Sequence, residues 1–451
     1  MKKDFGVKTG LYPLPARTAA AGTLLAFAVL SVFLACLGAE SALVLMRSIV
    51  AQVVVAGLAV LTFAAALRRV RRPSFAVVLH LGFALVLGGW LYNAWCGEEG
   101  GYLDLHAGRA GAVADAFEFQ LEDFSIDRWE DTGTVRQYTS RGWVRPRGGT
   151  ERGVVGEPVT ISVNHPLVRD GWWVYQSSYK EMRNPHTGRP FYFTILQCVK
   201  DVGLPWVAGG ALLLLLGTLW GVRMLGVQEA RESPPANPFT PREKPLLMLE
   251  GLVFLGAVAM LVHRGLSTGH APLQNMYEFL MCMAALLPLL TWVSAKFDRQ
   301  NTLLVDAILL ALVMIPVGFV MDGRVKHLMP ALQSPFFVPH VGAYVLGYVL
   351  LIRAALGAGR RLVGVGFFLL TVGLVLGAAW GKVCWGNWWQ FDPKEMWSLA
   401  TWFVYLAYFH VAPKLTSRAR NLFLLGGAVM IVLTLTWINL SRIFTGMHSY
   451  A

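Results

Sequence analysis

The densest run of residues able to do chemistry is Ala379–Trp402, AWGKVCWGNWWQFDPKEMWSLATW. Trp380, Trp385, Trp388 and Trp389 fall within ten residues, interleaved with Gly381 and Gly386. One tryptophan at the end of an apolar run marks headgroup depth. Four so close together make an aromatic platform, a surface suited to a flat, mostly apolar ligand. Asp392-Pro393-Lys394-Glu395 has the signature of a helix start, with Asp392 as N-cap, Pro393 at the first helical position and Glu395 returning a capping bond. Asp392 is therefore read as a cap first and a ligand contact second.

Four of the ten histidines complete the constellation. His80 and His410 fall near the ends of apolar runs that a membrane would place at one level, and His340 and His448 fall at the opposite level, beside the tryptophan-rich loop. Polar side chains at membrane depth are costly enough to be functional candidates. Neutral imidazole is a standard axial ligand of haem iron, so two level-matched pairs and an aromatic loop read as a haem site. The other six histidines, His106, His165, His186, His263, His270 and His327, read as surface or turn residues.

These residues must be positioned by membrane-spanning helices. The chain is 55% hydrophobic and 15% charged, with mean hydropathy +0.51, a balance that soluble domains rarely show. Apolar runs of spanning length occur at Thr18–Leu37, Ala42–Leu67, Phe75–Trp95, Leu204–Arg223, Pro245–His263, Leu273–Ser294, Thr302–Met321, Phe337–Leu356, Leu362–Trp380, Lys394–Val411 and Asn421–Ser441. The expected fold is thus an all-α polytopic membrane protein of about eleven transmembrane helices. The net charge of +12 resides in short clusters between these runs, such as Arg68, Arg69, Arg71 and Arg72. Such clusters mark cytoplasmic loops, and no basic groove with interleaved aromatics suggests nucleic acid. Lys2, Lys3, Lys8 and Arg17 place the amino terminus inside, and an odd number of spans then places the carboxyl terminus outside. No cleavable signal peptide is expected, because no cleavage site precedes further membrane sequence.

One inserted extracytoplasmic β-sheet domain is expected over about 97–203. There Phe117, Phe119 and Leu121, then Val159, Ile161 and Val163, then Phe191, Phe193 and Ile195 alternate with polar neighbours, the pattern of a half-buried antiparallel sheet with the apolar set inward. The charged, proline-rich stretch 227–244 reads as a cytoplasmic linker. It divides a four-span half, 1–226, from a seven-span half, 245–451, whose tryptophan loop covers about 380–397. The five cysteines are scattered, with no CxxC, which argues against a redox dithiol, a zinc site and covalent haem attachment to this chain itself. Glu278 and Asp306 lie within spans and require internal partners.

The run Trp385-Gly386-Asn387-Trp388-Trp389-Gln390-Phe391-Asp392-Pro393-Lys394-Glu395 resembles the WWD signature of haem-handling proteins of cytochrome c biogenesis. Gly269-His270-Ala271-Pro272, Asn275-Met276-Tyr277-Glu278, Gln333-Ser334-Pro335 before His340, and Gly446-Met447-His448-Ser449-Tyr450 resemble the CcsA branch. Asp127–Tyr138, Val163-Asn164-His165-Pro166-Leu167 and Gly171–Tyr179 are similar to ResB, also called CcsB. The resemblance covers nearly the whole chain and implies a fused CcsBA-type cytochrome c synthetase. It implies that His340 and His448 ligate haem externally at Trp385, Trp388, Trp389 and Asp392, and that His80 and His410 hold it within the membrane. Phe391 departs from the signature, which usually has a third tryptophan there.

The activity so implied is that of a holocytochrome c synthase-type haem lyase in a bacterial inner membrane. Haem b, as ligand and substrate, would be joined by thioether bonds to the CxxCH of a secreted apocytochrome c. His340 and His448 would be the catalytic pair, Arg442 would face a propionate, and a separate thiol-reducing partner would be needed. A haem exporter or carrier without ligase activity, and a di-haem electron-transfer subunit, are the competing readings.

Overall fold

The computed structural model describes residues 14–68, 74–147, 156–183, 185–229, 239–298, 300–359 and 361–440. Four helices come first: α1 (Leu14–Leu37), α2 (Ala39–Met46), α3 (Ile49–Leu67) and α4 (Phe75–Cys96). Eight strands follow: β1 (Glu98–Leu105), β2 (Ala110–Val113), β3 (Phe117–Arg128), β4 (Val135–Pro146), β5 (Glu157–Ser162), β6 (Leu167–Arg169), β7 (Trp172–Arg183) and β8 (Pro190–Lys200). The remainder is helical: α5 (Leu204–Glu229), α6 (Lys244–Thr268), α7 (Met276–Val293), α8 (Leu303–Phe319), α9 (Phe337–Ala355), α10 (Arg361–Trp385), α11 (Pro393–Val411) and α12 (Ser417–Leu440).

Among the described residues, nine helices are long and apolar enough to cross a membrane. The chain is a polytopic membrane protein with an inserted sheet domain. Two expected spans are not among the nine. Helix α8 is 17 residues long, and α11 carries polar and aromatic groups along a largely buried surface. The expected run Ala42–Leu67 is broken into α2 and α3, because the Ser48 side chain accepts a hydrogen bond from Ala51 N at 3.3 Å and starts a new helix.

Helices α4 and α5 flank the sheet domain and pack backbone to backbone. A Cβ on Gly82 would lie 2.8 Å from Gly210 O, and one on Gly210 would lie 2.6 Å from Gly82 O. Such close approach replaces the hydrophobic drive that lipid removes between helices. The two acids singled out within spans, Asp306 and Glu278, find arginines. Asp306 meets Arg353 at 2.6 Å with both side chains fully buried, and Glu278 meets Arg264 at 2.8 Å. Thr291 and Thr302 also donate to Asp306, at 2.8 and 2.7 Å.

The sheet domain is a sandwich of two four-stranded antiparallel sheets, ordered β1-β8-β7-β6 and β2-β3-β4-β5. Phe117, Phe119, Leu121, Ile161, Val174, Leu196 and Cys198 fill the space between them. On β8 the inward face is Thr194, Leu196 and Cys198, not the expected Phe191, Phe193 and Ile195. Both faces of that strand are apolar, so alternation does not identify its core side. The outer rings instead pair with each other and with His106. Burial pushes the Cys198 thiol up to about 12, which keeps it protonated and unreactive.

The sandwich docks on the loop between α8 and α9. The Asn164 side-chain amide donates to Pro330 O, Ala331 O and Gln333 O at 2.9–3.1 Å. The Gln333 side chain donates back to Arg136 O at 2.8 Å. His327 stacks on Trp129 at 4.4 Å between centroids and bonds to Asp131 at 2.6 Å. This loop leads into the helix that carries His340.

Candidate haem-handling site

His80 sits in the second turn of α4 and His410 in the last turn of α11. Their ring centroids are 6.3 Å apart, with planes at 71°. Each Nδ1 bonds to the carbonyl one turn earlier, His80 to Ala76 O at 2.6 Å and His410 to Leu406 O at 2.8 Å. A backbone carbonyl accepts only, so Nδ1 carries the proton and Nε2 presents its lone pair, the arrangement usual for metal-binding imidazoles. With a metal–imidazole bond of about 2 Å, two rings on opposite sides of one ion have centroids roughly 6 to 6.5 Å apart. Beside the pair runs an aromatic column: Trp402 stacks on Phe83 at 6.0 Å and on Phe367 at 5.6 Å, and Phe367 meets Phe409 at 5.1 Å. Trp402 is oriented by its indole N–H, which donates to Thr371 Oγ1 at 3.0 Å. His80 lies sixteen residues before the end of α4, about 24 Å from the sheet domain at 1.5 Å per residue.

His340 occupies the first turn of α9 at the opposite end of the bundle, and its Nδ1 bonds to Gly373 O at 2.8 Å. Its ring meets the edges of Tyr344 at 5.0 Å and Trp380 at 5.6 Å. Behind it lies Gly377, where a Cβ would come within 2.6 Å of His340 Cε1. The imidazole forms part of the wall of a cavity of about 1150 Å³, lined largely by apolar side chains together with Tyr344, Tyr348, Trp380, Trp389, Lys394 and Glu395. That is the size and character of a site for a large, flat ligand. His448, the expected partner of His340, and Arg442 lie outside the described residues.

The tryptophan loop does not form one continuous face. Trp385 is the last residue of α10, not part of the loop, and stacks on Trp380 at 6.0 Å and 26°. Trp388 turns to the sheet domain and donates to Asp201 Oδ2 at 3.1 Å. Trp389 lines the cavity, with its indole nitrogen 3.3 Å from Met396 Sδ. Asp392 caps α11 as its sequence suggests, accepting from Lys394 N at 2.9 Å. Glu395 closes the box, accepting from Asp392 N at 3.3 Å and also from Gln390 N at 2.8 Å. Phe391 is buried with φ near +57° and packs in a cluster with Leu34, Ala42 and Trp397. At this position the ring fills a packing site, so the departure from the signature falls away from the cavity wall.

Two family models match this one chain. The ResB-like family matches residues 39–190, and the cytochrome C assembly protein family matches residues 358–448. The chain belongs to the fused ResB–CcsA cytochrome c biogenesis proteins. The cytochrome c biogenesis protein CcsA of Chlamydomonas reinhardtii is 28% identical over 244 residues, 46% of this chain and 68% of that protein. The CcsA of Synechococcus sp. (strain RCC307) is 26% identical over 300 residues, 52% of this chain and 94% of that protein.

Several residues of the site carry no signal in sequence. Tyr344 and Tyr348 look like ordinary apolar-helix residues until helical spacing from His340 sets them on one wall. Gly377 is one of many glycines in α10. Lys382 and Asp201, far apart in the chain, meet at 2.8 Å. Lys382 falls two residues past the expected span Leu362–Trp380, and only the longer helix α10 places its charge where it needs a partner. His327, read as a surface residue, joins the sandwich to the α8–α9 loop through Asp131 and Trp129.

Proposed function

We propose that this chain binds haem between histidines and attaches it to the CxxCH segment of a secreted apocytochrome c, at the membrane face carrying the sheet domain. The observation that carries the reading is the convergence of His80 and His410, from helices far apart in sequence, at a ring spacing suited to one iron between them. The amino terminus faces the cytoplasm of a bacterial-type inner membrane. Haem b is taken up between His80 and His410 and passes to His340 and His448 at the cavity that Trp389 lines, while Trp385, Trp388 and Asp392 hold the loop around it. The half over residues 1–226 presents the apocytochrome and the half over 245–451 holds the haem, joined by the linker 227–244.

The chemistry asks little of the protein beyond position. Each cysteine S–H adds across a haem vinyl C=C, forming a C–S bond and delivering the hydrogen to the terminal carbon, with no net transfer of electrons. Reactivity comes from the haem and the thiols, and the protein holds them in register. The sequence holds no CxxC dithiol, so a separate thiol-reducing partner keeps the substrate CxxCH reduced. The test uses the full chain purified in detergent with its bound haem and a reduced CxxCH peptide. Low-spin bis-histidine absorption followed by peptide carrying acid-stable haem supports the reading. Absorption without transfer would make the protein a carrier.

A further inference from the structure

We infer that Asp201, at the foot of the sheet domain, is a positioning residue for the tryptophan loop and sets where that loop stands over the His340 cavity. The inference rests on the function proposed above. Asp201 follows β8 and precedes α5, where the chain passes from the sandwich back into the membrane. Its Oδ2 accepts from Lys382 Nζ at 2.8 Å and from Trp388 Nε1 at 3.1 Å, so one oxygen binds both the end of α10 and the middle of the loop. The Lys382 and Asp201 side chains are 3% and 2% exposed.

Lys382 adds further anchors. Its ammonium donates to Gly386 O at 3.0 Å and lies over the rings of Trp173 at 5.4 Å and Tyr175 at 6.0 Å, both on β7. Gly386 turns the chain with φ near +84°, and a Cβ there would stand 3.1 Å from the Tyr175 ring. The turn between α10 and the loop is thus held by the sandwich through a charge, a carbonyl and a ring.

Stability alone is a poor reason for this arrangement. Burying an ion pair costs desolvation that its attraction barely offsets, and well-packed apolar side chains commonly do as well. Asp201 Oδ1 is buried and accepts no hydrogen bond among the described residues, which adds to the cost. What the pair supplies is geometry. Trp380 and Trp389, on either side of the anchored turn, both line the cavity beside His340. A shift of the anchor therefore moves two walls of the haem site, and the sheet domain takes part in holding haem although none of its described residues lines the cavity.

The test uses the full chain with Asp201→Leu, which removes the acceptor at similar size, and Asp201→Asn, which keeps an oxygen for the indole N–H without the charge. Two quantities are read at matched protein amount: haem attached to a CxxCH reporter, and hydrogen exchange of the amides of residues 386–392. The expected result for Asp201→Leu is a loss of attachment of about tenfold or more, since misplacement by about 1 Å can cost up to 10²-fold. Exchange of the loop rises with it, while the sandwich core around Phe117–Leu121 exchanges as before. Asp201→Asn falls between, and adding Trp388→Phe to Asp201→Leu brings little further loss. Unchanged loop exchange overturns the inference, as does a fall in attachment matched by faster exchange throughout the sandwich. If the unsubstituted chain attaches no haem, the proposed function fails, while the exchange measurement still decides the positioning.

Discussion

Gly377→Ala isolates the contribution of the His340 ring's position. The new Cβ would stand 2.6 Å from Cε1 and 2.9 Å from Nδ1 of His340, whereas carbon–carbon contacts settle at about 3.5–4.0 Å. The imidazole must therefore retreat by about 1 Å, away from α10 and toward the cavity. Retreat strains or breaks its 2.8 Å hydrogen bond to Gly373 O, a loss of about 0.5–1.5 kcal/mol. Overpacking in general costs about 1–3 kcal/mol, and the open cavity on the far side keeps this case near the low end. Folding is then only mildly affected, while a reacting group misplaced by about 1 Å loses up to 10²-fold in rate. The assay compares protein level, bound haem and haem attached to a CxxCH reporter. The expected result is near-normal protein with attachment reduced about tenfold or more. Full attachment by Gly377→Ala would refute the claim that the seat of His340 governs the chemistry.

Other perturbations act elsewhere in the molecule. Arg353→Met leaves Asp306 buried without its cation and is expected to cost about 3–5 kcal/mol in detergent unfolding. Arg353→Met with Asp306→Leu should recover most of that, and a double variant no better than the single would contradict the electrostatic explanation. His80→Ala and His410→Ala should each remove the same absorption band, with the double variant no worse than either; independent, additive losses would show that the two do not share one ligand. The hydrogen bond from His327 holds the Asp131 carboxyl below the usual carboxylate range, against a smaller opposing effect of burial. A carboxyl depressed in the folded state stabilises above its unfolded pKa, about 3.9, and loses that contribution as pH falls through the lower folded value. Proteolysis of the β3–β4 turn should therefore rise on acidification below about pH 4, and Asp131→Asn should flatten the rise; an unchanged acid profile in that variant would assign the effect elsewhere.

Helices were legible because lipid demands length and apolarity, which composition records directly. Ten of the expected spans correspond to one helix each, and the exception, Ala42–Leu67, hid a cap at Ser48 inside an unbroken apolar run. The start of α11 was legible for a different reason: Asp392 and Glu395 act on backbone groups within five residues, so local sequence contains the whole interaction. The β8 face was not legible, because Phe191 and Leu196 are equally apolar and only pairing with β7 decides which one points inward. Contacts such as Lys382 with Asp201, or Asn164 with the α8–α9 loop, join residues more than a hundred and fifty positions apart. Neither partner carries the other's location in its own surroundings. The tryptophans show both cases, with clustering visible in sequence and the division of Trp385, Trp388 and Trp389 among three neighbours set by the tertiary structure.

Attachment of haem in cells decides between a synthetase and a carrier. The chain is produced in a host stripped of its own cytochrome c maturation system, together with a secreted CxxCH apocytochrome, and covalent haem is read by staining a denaturing gel. The expected outcome is a stained reporter that disappears with His340→Ala and with His448→Ala. An unstained reporter beside a well-expressed, haem-loaded chain would rule out attachment by this protein and leave it a haem carrier.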